Sequence, residues 1–305
     1  MQQDNYTEVA ACIIKQSDNI CRGIYDETEE VFNYTNTEVY PKNVVKLAEG
    51  FGMMAVKLEA REFHLQQLVE NLQENNALLK QEMKMRREFS YIFVILITFV
   101  CIYTFGTSYM QSASSGISST IQPYISRILE IATLLLSFGI VRRIRLPLAS
   151  FGVTLTGWKK SLKESLLISL LIMAVMTGVK IYLQSRGIGS FGDSLITFEY
   201  VDWTYYAYIL VAPLQELIGR GILQTSIQRV MSGRYDWLWS IILSALLFGV
   251  FHLFMSTTMA IVAMLSGLVW GAMFARHKTL LGCSLSHMLI GIWVCLLGMW
   301  QAIAM

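Results

Sequence analysis

From Tyr91 onward the chain is a succession of apolar stretches, each about as long as a bilayer-crossing helix, separated by short polar or basic segments. Crossing ~30 Å of hydrocarbon takes roughly 20 apolar residues, and in lipid only a helix or a closed barrel satisfies its own backbone hydrogen bonds. Such a pattern specifies a bundle of membrane helices. Composition agrees, since 54% of the 305 residues are hydrophobic and only 15% are charged, against about 25% charge in a typical soluble domain. The net charge of +2 is too small and too dispersed to build a nucleic-acid groove, so no nucleic-acid partner is expected and membrane lipid is the implied surrounding.

The expected fold class is all-α: a polytopic membrane helical bundle of about seven spans with an N-terminal cytoplasmic coiled-coil helix. The spans are read at Tyr91 to Thr107, Ile125 to Val141, Ser165 to Leu183, Trp203 to Val230, Trp237 to Phe254, a sixth ending at Arg276-His277-Lys278, and Leu280 to Ala302. With a cytoplasmic start, every basic cluster then falls on one side, as the positive-inside tendency requires. No apolar run occurs in the first thirty residues, so the expectation is no cleavable signal and an integral inner- or plasma-membrane protein with its N-terminus in the cytoplasm. Three regions follow: a cytoplasmic helical region 1–90, two additional transmembrane helices in 91–145, and a core at 146–305.

Within 44–83 Val44, Phe51, Leu58, Leu65, Leu72 and Leu79 recur every seven residues, with Leu47, Met54, Arg61, Leu68, Asn75 and Glu82 at the companion positions. A long helix results, either pairing with a second copy or packing back on residues 3–32. Self-association is the expectation here, with Asn75 as a register-setting polar residue. The five cysteines have no C-x-x-C spacing and read as free thiols.

Ionisable side chains inside the spans carry the chemistry, because each costs several kcal/mol in hydrocarbon unless it faces protein or water. They are Gln215-Glu216-x-x-x-Arg220, Phe248-x-x-x-His252 and His287. Glu216 and Arg220 share a helix face and can pair; that pair alone is also compatible with a purely architectural role. A lone histidine among apolar residues is ordinarily a satisfied core donor. Two histidines with a carboxylate and an arginine form a minimal hydrolytic set, since imidazole accepts a proton and cationic donors stabilise an oxyanion. Counting along the spans places His287 about 10 Å and His252 roughly 20 Å from the cytoplasmic side, a mismatch in depth that tilt would have to remove.

In order, helix placement and spacing, residues 150–300 resemble the CPBP (CAAX protease and bacteriocin-processing, or Abi) intramembrane endopeptidases, whose pattern is Glu-Glu-x-x-x-Arg, Phe-x-x-x-His and His-x-x-x-Asn. The resemblance implies catalytic roles for Glu216, Arg220, His252 and His287, with Gln215, Phe248 and Gly291 lining the site. It also implies a metal-free glutamate mechanism; no cofactor is expected, although Glu, His and His leave zinc open as a ligand set, without H-E-x-x-H spacing. Two positions depart from the pattern. Gln215 stands where the family's water-activating Glu is, and Gly291 where its Asn oxyanion donor is. Glu216 would then have to turn toward water for hydrolysis to persist. The resulting expectation is an intramembrane peptidase, slow for want of those two groups, acting on a hydrophobic or lipidated peptide. The alternative is a non-catalytic pseudoprotease, a membrane-anchored binding or regulatory scaffold that recruits partners through its coil.

Overall fold

The computed structural model describes residues 2–25, 28–111, 121, 128, 131–132, 135–136, 138–139, 142, 146–187, 194–198, 203–300 and 303. Among them the chain is all-helical, with no strand. It divides into two compact units, Met1–Glu82 and Met83–Met305. The second expected span, with Arg127 and Glu130, lies mostly outside the described residues, as do Asp193, Glu199 and Asp202.

In the first unit, α1 (Gln2–Cys21) packs with a 3-10 turn (Thr28–Thr35), and that turn meets the early part of α2 (Lys42–Gln111). Val9, Val31, Val44, Val45, Ala48 and Ala55 are buried there, and the Phe32 ring lies so close to Gly52 that a Cβ at that glycine would sit 2.6 Å from it. Of the seam itself only Val44 is buried there; Phe51 is half-buried, and Leu47, Met54, Leu58, Leu65, Leu68, Leu72 and Leu79 are exposed.

The second unit contains α3 (Trp158–Ser185), α4 (Trp203–Glu216), a π-helical stretch (Leu217–Gln224), α5 (Thr225–Val230), α6 (Asp236–Phe251), α7 (Thr257–His277) and α8 (Leu280–Leu296). Three helices of the described residues, α2, α3 and α7, are long and apolar enough to cross a membrane, and α6 and α8 are shorter apolar helices. On α3, Leu166, Leu167, Leu170, Leu171 and Val175 all point outward, an apolar face far larger than water tolerates. This is an integral membrane protein.

Small residues set how closely these helices pack. Gly267 and Gly271 of α7 cross α6 closely, as their spacing suggests: an added Cβ would lie 3.1 Å from Ala245 at the first and 3.1 Å from Ile241 at the second. Ser161, Ser165 and Ser169 form a buried stripe on α3 facing α8, where Ser169 donates to Ser286 at 2.8 Å. Gly282 lies against that stripe so tightly that a Cβ would fall 2.3 Å from both the Ser161 and the Ser165 hydroxyl oxygens.

Lys180 corrects an expectation. Near the end of a span it reads as a lysine snorkelling to the interface, yet it is fully buried, and its ammonium donates to the carbonyls of Ser194, Leu195 and Leu297 at 2.9, 3.1 and 2.6 Å. Three carbonyls left over at a helix end and a loop offer a stronger site than the interface does, because an ammonium has three hydrogens to place. Tyr182, the companion residue, is exposed beneath the Arg186 guanidinium. Arg276 and His277, expected as a topology anchor, both meet Glu164 of α3, at 2.8 and 3.1 Å.

Candidate active site

Pro213 sits inside α4 and removes one backbone donor, and four residues later the helix widens into the π stretch before returning to α geometry in α5. Single π turns within α-helices occur frequently at functional sites. Here Glu216 closes α4 and Arg220 lies in the π stretch, both with no solvent exposure. Gly221 lets the carbonyl of Phe151 approach: a Cβ there would be 2.6 Å from that oxygen, whereas Gly219 has only ordinary contact with Phe248.

Glu216 is shared between two partners. Its Oε1 accepts from His287 Nδ1 at 2.9 Å, and its Oε2 lies 3.2 Å from Arg220 Nε. The second contact is an ion pair without hydrogen-bond alignment, and no Arg220 nitrogen makes a hydrogen bond. The guanidinium instead lies over the Phe248 ring, 4.9 Å from its centre, where the ring's negative face offsets part of the cation's burial.

His252 follows directly on α6 as its C-terminal cap, and its Nδ1 donates to the Phe248 carbonyl at 2.7 Å. A carbonyl and a carboxylate can only accept, so Nδ1 carries the hydrogen in both imidazoles and Nε2 of each is the basic nitrogen. Phe248 separates the rings, 4.7 Å from His252 and 6.0 Å from His287. Trp270 stacks on His287 at 3.9 Å, and its indole N–H donates to Ser286.

A cavity of about 60 Å³ is bordered by Tyr208, Phe248, His252, Trp270, His287 and Gly291, among others. It has room for a few water molecules. The apparent depth mismatch between the histidines is therefore removed, because α6 ends at Phe251 while His287 lies two turns into α8 and both reach the same space. Glu216 and Arg220 stand behind His287 and do not line the cavity. Glu216 has not turned toward the cavity: it is buried and held by His287 and Arg220.

Gln215 is half-buried and does not border the cavity, while Gly291 does. Of the seven singled-out residues, Phe248, His252, His287 and Gly291 border the cavity, Glu216 and Arg220 contact that wall from behind through His287 and Phe248, and Gln215 stands apart. Among the described residues no three His, Cys, Asp or Glu side chains gather in a metal-ligating group. Trp270 and Tyr208 belong to the site and were not singled out from sequence. The signal for Trp270 was its place between Gly267 and Gly271; for Tyr208 it was the i, i+4, i+8 stripe Tyr208, Ala212, Glu216.

Residues 197–293, about a third of the chain, match the family model described as type II CAAX prenyl endopeptidase Rce1-like. Every site residue above lies within that segment. No curated protein and no solved structure gave a match.

Proposed function

Starting from an Rce1-like domain of a protease family in an integral membrane protein, we propose that this chain is an intramembrane endopeptidase in which an imidazole, in place of a carboxylate at position 215, activates the water. The observation that carries this reading is the 2.9 Å bond from His287 Nδ1 to the buried carboxylate of Glu216. A carboxylate that fixes the tautomer and offsets the imidazolium charge makes the far nitrogen an effective proton acceptor, the arrangement of base and orienter used by hydrolytic triads.

Nε2 of His287 takes a proton from a cavity water while the water oxygen bonds to the peptide carbonyl carbon, and the carbonyl π pair moves onto oxygen. When the C–N bond breaks, the amine takes its proton from the imidazolium, so the base returns to its starting state. His252, on the same cavity and with Nε2 free of its backbone bond, holds the water or the departing amine. Glu216 and Arg220 are positioning residues, and Phe248 keeps the imidazoles apart while lending one of them its carbonyl. The substrate is a hydrophobic or lipidated peptide entering from the membrane, with no cofactor, and the N-terminus lies in the cytoplasm.

The Gln215 and Gly291 departures favour a second reading, in which the same cavity holds a peptide without cleaving it and the exposed leucines of α2 recruit a partner. Cleavage of lipidated and unmodified hydrophobic peptides by purified protein decides between them. Turnover by the wild type, lost in His287→Ala and changed only a few-fold by Gln215→Glu, is the expected result. A silent wild type that Gln215→Glu awakens would show that the base was missing and overturn the imidazole mechanism.

A further inference from the structure

The mechanism above contains two proton acceptors on the cavity wall and no stated donor for the developing oxyanion. Arg220, the strongest cation nearby, is sealed behind Phe248 and does not border the cavity. Trp270 has placed its indole hydrogen on Ser286. Of the remaining donors that line the space, Tyr208 is the one whose ring meets an imidazole, edge-on to His287 at 5.7 Å. Its hydroxyl makes no hydrogen bond with any described residue.

The position of that hydroxyl is tied to Gly291. A Cβ added at Gly291 would lie 2.3 Å from the Tyr208 oxygen, 2.3 Å from Cε1 and 2.5 Å from Cζ. Gly291 is four residues beyond His287 on α8, so it shares that histidine's face and its Cα forms part of the cavity floor. Any side chain there would occupy the volume that the phenol fills. The glycine and the tyrosine are two halves of one arrangement: one residue withholds a side chain so that the other, from α4, can place an O–H at the same spot.

We propose that the Tyr208 hydroxyl is the oxyanion donor of this site, seated on Gly291, and this rests on the proteolytic reading given above. The phenol donates a hydrogen bond to the carbonyl oxygen as the π electron pair collects there; it transfers no proton, so Tyr208 ends each cycle unchanged. A phenol is protonated throughout the neutral range, and a donor fixed before the reaction needs no reorganisation as charge develops.

Four variants test it, read by peptide cleavage and by binding of an inert analogue, with thermal melting as the control for folding. Tyr208→Phe keeps the ring and removes only the donor, so kcat for peptide cleavage should fall about 10²- to 10³-fold with KM little changed. Gly291→Ala should produce a similar loss by displacing the phenol. Combining Gly291→Ala with Tyr208→Ala should be no worse than Tyr208→Ala alone, because the clash is then gone. Thermal melting in detergent separates misfolding from loss of the donor.

The second readout is binding of a hydrophobic peptidyl phosphinate, which is tetrahedral, anionic and not hydrolysed. Tyr208→Phe should weaken it about tenfold or more. Cleavage within twofold of wild type in Tyr208→Phe, or unchanged phosphinate affinity, or no phosphinate binding by the wild type, would each overturn the assignment. A wild type that binds the phosphinate through Tyr208 yet cleaves no peptide would retire the proteolytic reading and leave the donor in place.

Discussion

Glu216 of α4 and His287 of α8 stand 71 residues apart in sequence and join through one 2.9 Å hydrogen bond, carboxylate Oε1 to imidazole Nδ1. That bond couples two helices, sets a tautomer and gives a buried carboxylate its second partner beside Arg220. Removing the charge at 216 therefore acts on stability and chemistry together.

Glu216→Gln leaves the Arg220 cation buried without its counter-ion and is expected to cost about 3–5 kcal/mol. Peptidase activity should drop about 10²- to 10⁴-fold, since the amide no longer offsets the imidazolium. Adding Arg220→Met should return much of the stability and none of the activity, read by thermal melting and cleavage on the same preparations.

The two histidines border one cavity, and each has its Nδ1 engaged elsewhere. His252→Ala and His287→Ala are each expected to lower kcat about 10²- to 10⁴-fold. The double variant should be hardly slower than the worse single, because groups that act as a unit lose their effect together. Strictly multiplicative losses would mean that the rings work independently.

Replacing Lys180 by Met keeps the length of the side chain and strips the donor from three carbonyls. Each buried acceptor left bare costs about 1–3 kcal/mol, so a clear fall in melting temperature is expected. Backbone amide exchange near 194–198 should rise at the same time; an unchanged exchange pattern would show that the lysine does not hold that segment.

Gly282→Val puts a branched side chain where a single Cβ is already 2.3 Å from two serine hydroxyls. Separating α3 from α8 by that amount should destabilise the protein by about 1–3 kcal/mol, the usual range for overpacking. Pairing it with Ser161→Gly and Ser165→Gly should recover part of the loss, measured by melting in detergent.

The exposed leucines of α2 lie on a seven-residue repeat with no cover from the rest of the described unit. Leu65→Glu with Leu72→Glu is expected to abolish cross-linking between copies in membranes, whereas Asn75→Leu should strengthen association and blur the oligomer state. Equal monomer yields from all three proteins would end the case for self-association through this seam.

The sequence by itself specified a membrane bundle, the long amphipathic helix and the polar residues at the cavity and directly behind its wall. Apolar run length, heptad spacing and the cost of burying charge are local or additive quantities, legible without knowing which helices touch. The same reasoning placed Lys180 at the interface and set His252 and His287 at different depths, because residue counts along separate spans carry no information on where each helix starts or ends. Only the tertiary structure decided that Glu216 faces His287 while Gln215 stays outside, that a π turn after Pro213 carries Arg220 behind Phe248, and that Tyr208 fills the space Gly291 leaves. Those outcomes depend on distances of a few tenths of an ångström between chain segments remote in sequence, and packing at that scale follows from all the contacting side chains together.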